Sequence, residues 1–155
     1  MKKSNFLVKT VLSLGIAALA ACSTMKGEKS SEEVAASGPT VIDVRTNPST
    51  FELNEKLQPT QTAEVFADVK DFKNEVTTVK MRFVHIPMEV PMKKVAGTTW
   101  KATLTPEQLK QLAVTGQTMR YDVNIVAVNN KGQAAMSQEP ITVAIKAPDQ
   151  TRIAS

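Results

Sequence analysis

The sequence has little of what chemistry usually needs. Its 155 residues include one cysteine, one histidine, one tryptophan and one tyrosine. A single thiol excludes a disulfide within the chain, so the fold must hold by packing alone. There is no zinc-type Cys/His spacing and no glycine-rich phosphate loop. The histidine, His85, has no serine or cysteine partner close in sequence, and with so thin an inventory no enzyme is expected. A long hydrophobic run is also missing. The apolar stretch from Val11 to Ala21 falls well short of the roughly 20 residues of a membrane-spanning helix. A large excess of charge of one sign is missing too. The net +4 depends on Lys2, Lys3 and Lys9; without residues 1–21 there remain 16 basic residues against 15 acidic ones. That excludes the strongly basic footprint of a nucleic-acid-binding protein.

What is present begins with an address. A basic start, a short apolar core broken only by Ser13, and small residues at its end have the form of a secretory signal. The core ends in Leu19-Ala20-Ala21-Cys22, which holds the only cysteine. This tetrapeptide resembles the lipobox of bacterial lipoproteins. The resemblance implies a thioether-linked diacylglycerol on Cys22 and cleavage between Ala21 and Cys22. Cysteine suits this role because its nucleophilic sulfur can carry the lipid. One acyl chain anchors marginally, at about 0.8 kcal/mol per buried methylene, and two or more hold stably. Ser23, where the family's inner-membrane proteins tend to carry aspartate, implies an outer-membrane address in a cell with two membranes.

The chain is expected to divide into a signal peptide at 1–21, a cysteine lipidated as the resemblance implies with its linker at 22–39, one folded domain at 40–147 and a polar tail at 148–155. Ser23 to Pro39 is polar, charged and small, without an aromatic residue, and cannot bury enough apolar surface to offset its ordering entropy. As a random coil its 17 residues would reach roughly 20–25 Å.

From Thr40 the pattern alternates. Val41 to Arg45 is expected as a first strand, with Phe51 and Leu53 pointing inward after the Asn47-Pro48-Ser49 turn. Ala63, Val65, Ala67 and Val69 share one face of a second strand, and Phe66 is the exception on its polar face. Val79, Met81 and Phe83 mark the next, Met88 to Val95 a short edge strand, and Trp100, Ala102 and Leu104 another. Thr105-Pro106-Glu107-Gln108 reads as a capped helix start, with Leu109 and Leu112 its apolar contacts. Two final strands, about 118–128 and 133–146, are joined by a turn at Asn129 to Gly132. The expected fold is all-β: an antiparallel sandwich of about seven strands with one short helix near residues 105–112.

Tyr121, Val123, Ile125, Ala127 and Asn129 fall on alternate positions, followed by Gly132, Ser137 and Pro140. This segment resembles the penultimate strand, hairpin and last strand of fibronectin type III and related immunoglobulin-like domains. The resemblance implies an immunoglobulin-like sandwich in which Tyr121 bonds back to a nearby backbone as a tyrosine corner. The tryptophan such domains carry on their second strand is absent there; Trp100 stands on a later one.

Three constellations carry possible chemistry. Met81, His85, Met88 and Met92 combine thioethers and an imidazole that suit Cu(I), although Met81 and His85 lie about 13 Å apart on a regular strand at ~3.3 Å per residue. Methionine more often fills gaps in a core. Asp68, Asp71, Asn74 and Glu75 offer oxygens for calcium, but match no EF-hand spacing and read more simply as a solvated turn. Trp100, Phe66 and Tyr121 could stack on a sugar if exposed together. The expected protein is a non-enzymatic envelope lipoprotein, held to a membrane by the lipid on Cys22 and free of other cofactors. Its sandwich would bind an envelope protein or polysaccharide, and not nucleic acid. A small-ligand or copper carrier and an accessory carbohydrate-binding module are the alternatives.

Overall fold

The alternating stretches become ten strands in the computed structural model, which describes residues 38–149. They are β1 (Thr40–Asn47), β2 (Thr50–Glu52), β3 (Glu64–Lys70), β4 (Val76–Phe83), β5 (Glu89–Pro91), β6 (Lys93–Ala96), β7 (Thr99–Thr103), β8 (Thr118–Asn129), β9 (Ala134–Met136) and β10 (Ile141–Lys146), with helix α1 (Pro106–Leu112) between β7 and β8. One sheet has the order β1-β3-β7-β6 and the other β2-β10-β8-β4-β5, with β9 also paired to β8. Their inner faces share one core, in which Val65, Met81, Phe83, Ile125 and Val143 are fully buried. The result is an all-β sandwich, and its pairing order is compatible with the immunoglobulin-like arrangement.

Period-two patterning decides which residues enter this core. Val65, Ala67 and Val69 on β3 alternate with outward Glu64, Phe66 and Asp68. Phe66, the exception in sequence, lies outward beneath the Arg45 guanidinium, whose central carbon is 5.5 Å from the ring centroid. Arg45 also pairs with Asp43 at 2.8 Å and Asp68 at 3.0 Å. Trp100 is 7 % exposed and belongs to the core.

Three features differ from the strand-by-strand expectation. Met88 to Val95 is not one edge strand. β5 pairs with β4 in the larger sheet and β6 with β7 in the smaller one, so the chain changes sheets at Met92. Val90 and Met92 are buried, whereas Lys93 to Ala96 are all exposed, and without an apolar alternation this last piece can run along an outer edge. The segment after Gly132 is broken into β9 and β10. Pro140 has no N–H to donate, and the Ser137 hydroxyl turns inward to accept from Ile125 N at 3.1 Å. β2 pairs in parallel with β10, while the other strand pairings described are antiparallel.

Local chemistry fixes the helix. Thr105 Oγ1 accepts from Gln108 N at 3.2 Å, and Gln108 Oε1 accepts from Thr105 N at 2.9 Å. This reciprocal capping box, with Pro106 in the first turn, starts the helix, and Leu109 and Leu112 bury its inner side.

Candidate functional site

The strand registers sort the loops into two ends. Thr40 lies opposite Lys70, and Val76 opposite Asn129, so the chain comes into the domain at the end that also holds the β3–β4 and β8–β9 turns. An ideal Cβ on Gly38 would be 3.6 Å from Gln133 Cβ. Asn47 lies opposite Glu64, which lies opposite Thr103, and Phe83 lies opposite Val123. The β4–β5 hairpin and α1 therefore occupy the far end.

At the near end Asn129 is the organiser. It is 2 % exposed, at an inward position of β8 where the pattern otherwise places apolar residues. Its Nδ2 donates to Asp71 Oδ2 at 2.7 Å and to Gln133 Oε1 at 2.8 Å. Its Oδ1 accepts from Lys131 N at 3.0 Å and Gln133 N at 2.9 Å, and Gly132, at φ +75°, completes the turn. Asp71 Oδ1 in turn accepts from the amides of Lys73 and Asn74, both at 2.9 Å. The Asn129 hydrogen bond is the largest cause holding the Asp71 carboxyl below its usual range, with the two amides adding to it. On the sheet, Asp68 is also held low, first by the Thr99 hydroxyl and then by Arg45. Both carboxylates thus serve protein donors rather than converging on a cation, and among the described residues no group of three His, Cys, Asp or Glu is placed to hold a metal.

At the far end Tyr121 Oη donates to Leu112 O at 2.6 Å, tying β8 to the end of α1. Its ring meets Phe83 edge-on, with centroids 5.9 Å apart. The three aromatic residues considered for sugar stacking do not form a joint surface: Trp100 is core, Tyr121 is tied to α1, and Phe66 lies under Arg45.

The β4–β5 hairpin forms an open recess of about 740 Å³. Its base is pinned by Val84 N to Asp122 O at 2.9 Å and Phe83 N to Met88 O at 3.0 Å. Val84, 44 % exposed, forms an apolar tip with exposed Pro87 beside exposed His85. Arg82 and Glu89 face each other across the strands, and Glu89 is paired with Lys80 at 2.8 Å, which holds its carboxyl below the usual range. The methionines around His85 do not share its setting. Met81 is fully buried, Met92 is 5 % exposed and Met88 is half-buried, while His85 faces solvent. What the hairpin offers is a small, fixed, partly apolar contact surface with a cation and an anion at its base.

Ala21 and Cys22 lie outside the described residues. No described helix is long and apolar enough to cross a membrane. One conspicuous side chain, Phe72, escapes pattern reading because it sits in a turn. It is 71 % exposed, with the Lys70 ammonium 4.2 Å from its ring centroid. The available signal was an aromatic residue between lysines in Lys70-Asp71-Phe72-Lys73. No protein-family model matches the chain, and no curated protein is significantly similar to it.

Proposed function

We propose that this chain is an envelope lipoprotein whose immunoglobulin-like sandwich is a non-enzymatic binding module. A lipid on Cys22 would hold it to a membrane, and Ser23 favours the outer one where two exist. The β4–β5 hairpin then meets the partner. The observation that carries this reading is the separation of ends: the chain from the Cys22 side joins β1 beside Lys70 and Gln133, and the hairpin lies at the opposite end. A module tethered at one end offers the other most freely. The hairpin tip carries Val84, His85 and Pro87 but no exposed aromatic ring for stacking on a sugar, which favours a protein partner over a polysaccharide.

The anchoring half is tested by palmitate labelling of the full chain beside Cys22→Ser. Label on the wild type, lost with the substitution together with membrane association, is the expected result. A wild-type chain that takes no label contradicts the reading.

A further inference from the structure

We propose that the near end of the sandwich is itself a membrane-contacting surface, in which Phe72 inserts among the headgroups of an anionic bilayer and Lys70, Lys73 and Lys131 meet the lipid phosphates. The inference rests on the reading that Cys22 carries lipid, and deepens it by saying how the domain lies on that membrane.

Phe72 stands on a backbone that is not loosely held. Its turn is closed by Asp71, whose Oδ1 accepts two amides of the turn and whose Oδ2 accepts from Asn129. Asn130 N donates to Glu75 O at 2.9 Å, joining this turn to the one that carries Lys131. The backbone is thus fixed while a benzyl group remains 71 % in water. Scattered exposed apolar residues need no explanation; what sets Phe72 apart is that its turn is fixed and that lysines surround it.

The charges around it have the matching sign. Lys70, Lys73 and Lys131 stand at this end against Asp71 and Glu75, and both oxygens of Asp71 are already bonded to protein donors. Lys70 lies against the ring with its ammonium 4.2 Å from the centroid, so a cation stands beside the group that would enter the headgroup layer. An aromatic ring flanked by long cationic side chains is the composition that settles at a bilayer interface.

Position supports the same occupant. The chain coming from Cys22 joins the domain at this end, with Gly38 beside Gln133 and Thr40 opposite Lys70. Fifteen residues separate Cys22 from Gly38, a span of at most about 58 Å at ~3.6 Å per residue. The tether from Cys22 therefore joins the domain on the same end that bears Phe72 and the lysines.

The test uses Phe72→Trp in the full chain isolated from membranes, with lipidation checked by the mass of its N-terminal peptide. Trp100 is buried and stays in both proteins as an internal reference. Each is reconstituted in vesicles of phosphatidylglycerol and phosphatidylethanolamine with brominated acyl chains, and in neutral phosphatidylcholine vesicles brominated alike. In the anionic vesicles the variant should show blue-shifted emission quenched by at least a third, while the wild type is unquenched. Quenching should fall severalfold in the neutral vesicles, or when Lys70, Lys73 and Lys131 are replaced by glutamine. Emission of the lipidated variant that stays solvent-like and unquenched overturns the inference, as does equal quenching on neutral and anionic lipid. An N-terminal peptide without diacylglycerol contradicts the anchoring reading instead. The same quenching, measured with vesicles added to that unlipidated chain, then decides the inference on its own.

Discussion

The two ends of this sandwich are closed by different means. At the near end a buried amide, Asn129, holds two turns together through side-chain and backbone hydrogen bonds, and Asp71 completes the set. At the far end the closure is mainly apolar. Tyr121 adds one hydroxyl bond to Leu112 O, while Leu109 and Leu112 bury themselves in the core. A polar closure fixes backbone without covering it, and it leaves Phe72 displayed. An apolar closure seals the core, and it leaves the β4–β5 hairpin as a separate projection. The difference teaches that one β-sandwich can present two unlike surfaces without any change in its core.

The comparison breaks most completely where both ends depend on the same residue. Trp100 lies in the shared core, and Trp100→Ala should cost about 3–5 kcal/mol through lost burial and a residual cavity. Denaturant unfolding followed by circular dichroism measures it. A loss below about 1 kcal/mol would place the ring outside the core. Next in size is the near end. Asn129→Ala leaves Asp71 and two turn amides without their partner and should cost about 2–3 kcal/mol. Hydrogen exchange should show the lost protection concentrated at residues 71–75 and 129–133. A uniform loss would mean that the two ends are not closed separately.

The far end should yield less. Tyr121→Phe removes one hydrogen bond while keeping the ring, at a cost of about 0.5–1.5 kcal/mol. An unchanged unfolding midpoint and slope would argue that the Leu112 bond contributes nothing.

How much of this was legible beforehand depends on how local the cause is. The capping box is written within four residues, Thr105 to Gln108, and the helix forms there. The inner faces of β3, β4 and β8 follow from alternation, which states which residues turn inward. Alternation does not name a neighbour, so nothing in Met88 to Val95 reveals that the chain leaves one sheet for the other at Met92. β2 is three residues long, too short to show a period, and its parallel partner lies some 90 residues away. The near-end site was obscured for the same reason. Asp68, Asp71, Asn74 and Glu75 invite a calcium reading because the side-chain donors that occupy the two aspartates, Thr99, Arg45 and Asn129, are distant in sequence. Met81 and His85 look related at a spacing of four, yet one is core and the other solvent-facing.

The smallest expected effect is a pH dependence that separates the ends. Asp71 is held low by Asn129 and the turn amides, so it ionises at lower pH in the folded chain than in the unfolded one. Its contribution is complete above the unfolded value and is lost as pH falls through the folded one, that is, below about pH 4. Asp71→Asn should flatten this acid limb of stability, whereas Tyr121→Phe should leave its shape unchanged. Identical acid limbs in the wild type and Asp71→Asn would show that this carboxylate is not coupled to folding.

The central claim is that the end where the chain comes in faces the membrane and the hairpin end faces a partner. Photo-crosslinking in intact cells tests it directly, with p-benzoylphenylalanine placed at position 72 or position 85 of the full-length chain and the adducts identified by mass. Lipid adducts from position 72 and one discrete protein adduct from position 85 are the expected result. Protein adducts at position 72 with lipid adducts at position 85 would contradict the account.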